Sequence, residues 1–228
     1  MTKPWSDDKR LLIFDLDGTL IDSFQDIAMS VNAMLTELGL PTLELTTIQQ
    51  YIGAGARFLL SNSLREAGAE PDKRLEEARE VFVQCYKRNL ANHTCFFEGA
   101  EDFLDRALQE GMTLALCTNK PLQFTNPLLE HLETSERFSI VLGGDSLPTR
   151  KPDPAPLLHI LQTLKILPEQ AVMVGDSIYD VMAAKNAGVE VWGVVTGHHS
   201  AEELQAKGAD RVFRHIRDFW PSRPPAMV

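Results

Sequence analysis

The sequence predicts an α/β fold: a parallel sheet with helices on both faces, interrupted after its first strand by an all-helical insertion. Three observations carry this. The run Leu11-Leu12-Ile13-Phe14 is apolar without alternation, as in a central strand covered on both faces, and it stops at Asp15-Leu16-Asp17-Gly18-Thr19. From Glu98 onward helical and strand patterns alternate, the rhythm of βα units. Between Asp22 and about His93 only helical spacing is found.

Taken in order, Asp22-Ser23 with Asp26 resembles a capping box, and Ile27, Val31, Met34, Leu35 and Leu38 recur at helical spacing until Gly39 and Pro41. Helices are expected at Leu45 to Gln50, Phe58 to Ala67 and Pro71 to Leu90, the last with Leu75, Ala78, Phe82, Cys85 and Tyr86 on one face. The strand carrying Asp15 precedes this segment, so it reads as an insertion: residues 1–21 and 93–228 form the core, and 22–92 a helical cap. The core continues with a helix through Phe103, Leu104, Ala107 and Leu108, a strand Leu114 to Cys117, a helix Leu122 to Leu132 and a strand Ile140 to Leu142. Asp153-Pro154 starts a helix to about Lys165, with Asp as N-cap and Pro first in the helix. Strand Ala171 to Val174, helix Ile178 to Ala187, strand Val191 to Val195, helix Ala201 to Lys207 and strand Arg211 to Phe213 complete the core, and the Pro-rich tail from Pro221 is expected to fray.

The 228 residues suffice for one good core with an insertion. A net charge of −10, from 22 basic and 32 acidic residues, argues against nucleic acid as a partner, because phosphate backbones call for a basic surface. A small anionic substrate would need local positive charge, for which Lys120, Lys151 and a metal are available. Cys85, Cys95 and Cys117 show neither disulfide nor metal-ligand spacing, and the six histidines, His198-His199 included, receive no role. The polar start MTKPWSDDKR and the lack of an apolar run of about 18 residues lead to the expectation of a cytoplasmic protein without a membrane partner, as a monomer or homodimer.

The chemistry concentrates at strand ends, where open α/β sheets hold their reactive groups. Asp15 and Asp17, two residues apart, start on one side of the chain, and two carboxylates this close call for a bridging cation or a shared proton. The pair suits nucleophilic attack by Asp15 with Asp17 as proton donor and acceptor; read alone, the motif is also compatible with a polar turn. Thr118-Asn119 follows another strand, with a hydroxyl and backbone N–H groups able to hold phosphate oxygens. Lys151, in Arg150-Lys151-Pro152-Asp153-Pro154, stands between a loop and a helix start, with Arg150 as the rival cation. Gly175-Asp176-Ser177-Ile178-Tyr179-Asp180 ends a fourth strand, and Asp180 lies one turn beyond Asp176.

DLDGT, Thr118, Lys151 with its Lys-Pro-x-Pro pattern, and GDSIYD resemble, in order, the four motifs of the haloacid dehalogenase-like superfamily, over about Arg10 to Phe219. The resemblance implies a Rossmann-like core and a phosphatase acting through an aspartyl-phosphate on Asp15. Asp17 would be acid and base, Thr118 and Asn119 would bind phosphoryl oxygen, and Lys151 would neutralise the nucleophile and the transferring group. Mg²⁺ would be held by Asp15, the backbone carbonyl of Asp17 and Asp176, with Asp180 behind them or as a further ligand.

Substrate choice is expected to lie in the cap, at Tyr51-Ile52-Gly53-Ala54-Gly55-Ala56-Arg57. Gly53 and Gly55 open backbone N–H groups to an anion, and Arg57 is available to a carboxylate or is a surface arginine on a plain turn. The insertion, with VLGGDSLPTRKPDPAPL and VGDSIYDVMAAKNAGV, is similar to the phosphoglycolate phosphatases of this superfamily. It departs from them at Glu98, where proline is common, and at His198, where tyrosine is common. That resemblance implies 2-phosphoglycolate, a small phosphorylated substrate. A β-phosphoglucomutase-type mutase, a pyrophosphatase and a nucleotidase share the catalytic set; a dehalogenase would not need Asp17, and a silent binding module would not need the set intact.

Overall fold

The computed structural model describes residues 3–220; the tail from Pro221 lies outside them. The chain enters through strand β1 (Leu11–Phe14) and a two-residue strand β2 (Ile21–Asp22). Helices α1 (Phe24–Glu37), α2 (Leu45–Gln49), α3 (Ala56–Glu66) and α4 (Pro71–Asn89) follow, and β3 (Cys95–Phe96) returns the chain. Then come α5 (Ala100–Gln109), β4 (Thr113–Cys117), α6 (Leu122–His131), β5 (Ile140–Leu142) and α7 (Ala155–Leu164). The chain closes with β6 (Ala171–Gly175), α8 (Ile178–Ala187), β7 (Glu190–Val194), α9 (Ala201–Ala206) and β8 (Arg211–Phe213).

Among the described residues, six strands form one parallel sheet in the order β5-β4-β1-β6-β7-β8. The chain builds outward from β1 to one edge and then, from β6, to the other. The end of β1 is therefore the switch point, where doubly wound sheets open a crevice. All four side chains of β1 are fully buried because alternation sends them to two different cores. Leu12 and Phe14 pack with Phe103 and Leu104 of α5, whereas Leu11 and Ile13 pack with Leu157 and Ile160 of α7 and Val181 of α8. This is the expected α/β core.

A third core lies inside the helical segment, where Val31 and Met34 of α1, Leu59 and Leu60 of α3, and Phe82 and Tyr86 of α4 bury one another. Phe124 of α6 joins it, so the helices roof the ends of the strands. The roots of this segment are paired antiparallel, Ile21 opposite Phe96 and Asp22 opposite Cys95, and Phe97 N donates to Leu20 O at 3.0 Å. Two-residue strands show no periodicity, which is why the sequence reading finds only helix here.

The expected capping box at Ser23 and Asp26 does not form. The Ser23 hydroxyl donates to Asp17 Oδ1 instead, and Asp26, fully buried, accepts from His93 N, Thr94 N and Thr94 Oγ1 at 2.7–3.1 Å. Ser23 has the Asp17 carboxylate to donate to and Asp26 has the distant His93 and Thr94 donors to satisfy, and these outcompete the local cap. Asp26 thereby pins the exit of the helical segment to its first helix.

Candidate active site

Parallel register brings three strand ends side by side, with Phe14 facing Leu116 of β4 and Val174 of β6. Asp15, Thr118 and Asp176 thus emerge together, each at most 5% exposed. Asp15 N donates to Val174 O at 2.9 Å, and Thr118 N to Leu142 O at 2.9 Å, so backbone bonds hold two of these ends. Asp15 Oδ1 accepts from Leu16 N at 2.7 Å and lies 3.0 Å from Lys151 Nζ. Oδ2 receives no hydrogen bond among the described residues, and Asp15 lines a cavity beneath the helical roof.

Lys151 is 2% exposed. Its ammonium faces three oxygens, Asp15 Oδ1 at 3.0 Å and Asp180 Oδ1 and Cys117 O at 2.6 Å, which matches its three N–H bonds. Burial works to lower its pKa, but Asp15 and Asp180 outweigh burial and hold the group ionised, above the usual lysine range. Arg150 takes a different place, its guanidinium packed against Gly55 of the roof.

Asp180 is fixed on both sides. It forms a capping box with Ser177 at the start of α8, accepting from Ser177 N at 3.0 Å and Ser177 Oγ at 2.5 Å on Oδ2, while Oδ1 takes Lys151. Of the two expected roles, the geometry favours the supporting one, which aims Lys151. Asp176 keeps more freedom: Oδ1 accepts from Thr19 Oγ1 at 2.7 Å. Glycines make room for its other oxygen, since a Cβ on Gly197 would sit 1.8 Å from Oδ2 and one on Gly18, at φ +84°, 2.6 Å away.

Oxygens of Asp15, Asp176 and Asp180 lie within 4.8 Å of one another. Three carboxylates against the single Lys151 ammonium leave an excess of two negative charges when all are ionised, the charge of a divalent cation. Without one, burial and then Asp180 push Asp15 up to about 6 against the pull of Lys151, and burial with Asp15 and Asp180 raises Asp176 well above the carboxylate range. Hard oxygen donors with an unrelieved charge fit a metal of the Mg²⁺ type. Cys117, beside them, is buried and its thiol pushed up to about 12, so it is no nucleophile.

Asp17 turns away from this cluster. Lys120 Nζ donates to both of its oxygens at 2.8 Å and Ser23 Oγ to Oδ1 at 2.5 Å, leaving its backbone carbonyl as the expected metal donor. Thr118 Oγ1 accepts from Lys120 N at 3.2 Å and keeps its own proton to donate. Asn119 stands in the cavity wall, yet its Nδ2 is committed to Gly53 O at 2.9 Å and Lys151 O at 3.0 Å, so it joins the roof to the sheet. Gly53 and Gly55 line the cavity at φ +103° and +94°, as expected of an opened helix entrance, whereas Arg57 is exposed and outside it. Arg57, in the first turn of α3, thus sits as the surface arginine of its two expected readings. Sequence reading missed Thr19, Ser23, Ser177 and Gly197. Thr19 was visible as the last residue of Asp-Leu-Asp-Gly-Thr, but nothing local marks Gly197.

Four motif groups on one crevice define a hydrolase class built on an aspartate at the end of the first strand. The family model for haloacid dehalogenase-like hydrolases matches residues 12–194, and the chain belongs to this family. It is 41% identical over 211 residues to the phosphoglycolate phosphatase of Psychrobacter arcticus, covering 90% of this chain and 92% of that one. The phosphoglycolate phosphatase of Chromobacterium violaceum is also 41% identical, over 92% of this chain and 95% of its own. A crystal structure from Haemophilus somnus, described as a predicted phosphoglycolate phosphatase, superposes with a TM-score of 0.88 at 31% identity, over 94% of this chain and 97% of that one.

Proposed function

We propose that this enzyme is a Mg²⁺-dependent phosphate monoester hydrolase working through an aspartyl-phosphate on Asp15, with 2-phosphoglycolate as its substrate. The observation that carries the chemistry is that Asp15, which lines the cavity, has Oδ1 held by Leu16 N and Lys151 and, among the described residues, no hydrogen bond on Oδ2. Bound at Asp15, Asp176 and the Asp17 carbonyl, Mg²⁺ would supply charge neutralisation for the nucleophile and the equatorial phosphoryl oxygens.

The chain's own groups do the rest. Asp15 attacks phosphorus in line, opposite the departing oxygen. Lys151 favours the ionised form of Asp15 and Thr118 Oγ1 donates to a phosphoryl oxygen. Asp17, at the cavity edge, protonates the departing alcohol and then takes a proton from the water that attacks the aspartyl-phosphate at phosphorus, which restores Asp15. Asp180 and Ser177 hold Lys151 in place.

The substrate reading rests on the relatives' names. The cavity is walled by Ile27, Ile52, Leu59, Phe82 and Phe124, an apolar lining around the few polar groups that would orient a small phosphate ester. Residues 22–92 then act as a cap over a core of 1–21 and 93–228, and Asn119 and Gly53 close it. All proposed groups come from one chain, so a monomer suffices, and a homodimer would leave them unchanged. Among the described residues no helix is long and apolar enough to cross a membrane.

The test is kcat/KM with Mg²⁺ over 2-phosphoglycolate, pyrophosphate, β-glucose 1-phosphate and a nucleoside monophosphate. A preference for 2-phosphoglycolate of about 10²-fold, roughly 2.7 kcal/mol in transition-state binding, is expected. A faster turnover of β-glucose 1-phosphate would overturn the substrate reading.

A further inference from the structure

Lys120 is 7% exposed and is the only cation among the residues lining the cavity. It hydrogen-bonds both Asp17 oxygens at 2.8 Å and lies 4.9 Å from the centre of the Tyr86 ring. Apart from Asp15, Asp17 and Thr118, the walls around it are mostly apolar, so an anion entering on the leaving-group side meets no other positive side chain. A buried ammonium is dear to desolvate and stays only with a partner of opposite charge. When Asp17 turns to the departing oxygen, Lys120 therefore needs a replacement carboxylate.

An α-hydroxy acid supplies it in one piece. Its carboxylate oxygens and its hydroxyl oxygen sit on adjacent carbons and lie within hydrogen-bond distance of each other. Two groups already side by side span the two together, the Lys120 ammonium donating to the carboxylate and Asp17 delivering its proton to the departing oxygen. A β-hydroxy acid carries its carboxylate one carbon further off, and a simple alcohol carries none.

We infer that Asp17 and Lys120 form a two-point reader of an α-hydroxy carboxylate leaving group: Asp17 meets the ester oxygen while Lys120 exchanges Asp17 for the substrate's carboxylate. This rests on the phosphatase reading above and narrows it to α-phosphooxy carboxylates, the class of 2-phosphoglycolate and its 2-methyl homologue. Lys120 is the specificity-determining residue, a role that Arg57 does not fill.

The experiment compares kcat/KM for 2-phosphoglycolate, 3-phosphooxypropanoate and ethyl phosphate, which share the phosphate and differ in the carboxylate, in the wild-type Mg²⁺ enzyme and in Lys120→Met. Wild type is expected to favour 2-phosphoglycolate over each of the others by about 10²-fold, and Lys120→Met to bring the three within about threefold. If the variant keeps the wild-type preference while all three rates fall alike, Lys120 does not read the carboxylate and the inference fails by itself. If wild type shows no preference, the substrate reading fails too. A readout that needs no variant is product inhibition of the wild type: glycolate is expected to compete at least about tenfold better than ethanol or 3-hydroxypropanoate, and equal inhibition by the three would overturn the inference.

Discussion

Asp15 and Asp176 are two carboxylates whose surroundings oppose their ionisation until a cation arrives, and this has a measurable consequence. Burial raises both, Asp15 to about 6, so the metal-free folded state binds protons more tightly than the unfolded chain. The stability Asp15 contributes is complete below the unfolded value of about 4 and is lost as the pH rises through about 6, and that of Asp176 changes in the same direction. Mg²⁺ competes with those protons, so the rise in Tm on adding it should be small near pH 5 and grow toward pH 7.5. Thermal unfolding at the two pH values, with and without Mg²⁺, checks this; an increment independent of pH would contradict it. Gly197→Ala should weaken Mg²⁺ binding by about tenfold or more, because a methyl group there meets Asp176 Oδ2, and calorimetric titration reads that loss.

At the scale of elements, the helical segment is held at its root by Asp26 and at its tip by Asn119. Asp26→Ala leaves His93 N, Thr94 N and Thr94 Oγ1 without their acceptor in a buried place, which should cost about 2–4 kcal/mol in denaturant unfolding. Asn119→Ala frees Gly53 O, and faster amide exchange over residues 51–59 is the expected sign of a looser roof, against unchanged exchange if the bond carries no weight. These elements also show what a sequence can reveal. β1, β4 and β6 were legible because each is an apolar run broken by a polar residue, and Asp15, Thr118 and Asp176 fell at the breaks. Lys151 was legible through its prolines. The short β2–β3 pair carries no period, and Ser23 and Asp26 follow a local capping pattern that the Asp17 acceptor and the distant His93 and Thr94 donors override. Arg57 was read from charge alone, and charge does not say which face of a helix turns to a cavity.

Over the whole molecule, the switch point at β1 brings chemistry from distant parts of the chain, from Asp15 to Gly197, to one crevice roofed by helices. Part of the acidic net charge of −10 lies in that crevice, where Asp15, Asp17, Asp176 and Asp180 face the buried Lys120 and Lys151. If the covalent route is right, Asp15→Asn should lower turnover by at least about 10³-fold while leaving the fold intact by circular dichroism. The most direct test is a rapid acid quench of the Mg²⁺ enzyme during turnover of ³²P-labelled 2-phosphoglycolate, followed by peptide mapping. The expected result is a transient, hydroxylamine-sensitive label on the peptide that holds Asp15, absent from Asp15→Asn. Product formed in the first turnover with no label on that peptide would contradict nucleophilic catalysis by Asp15.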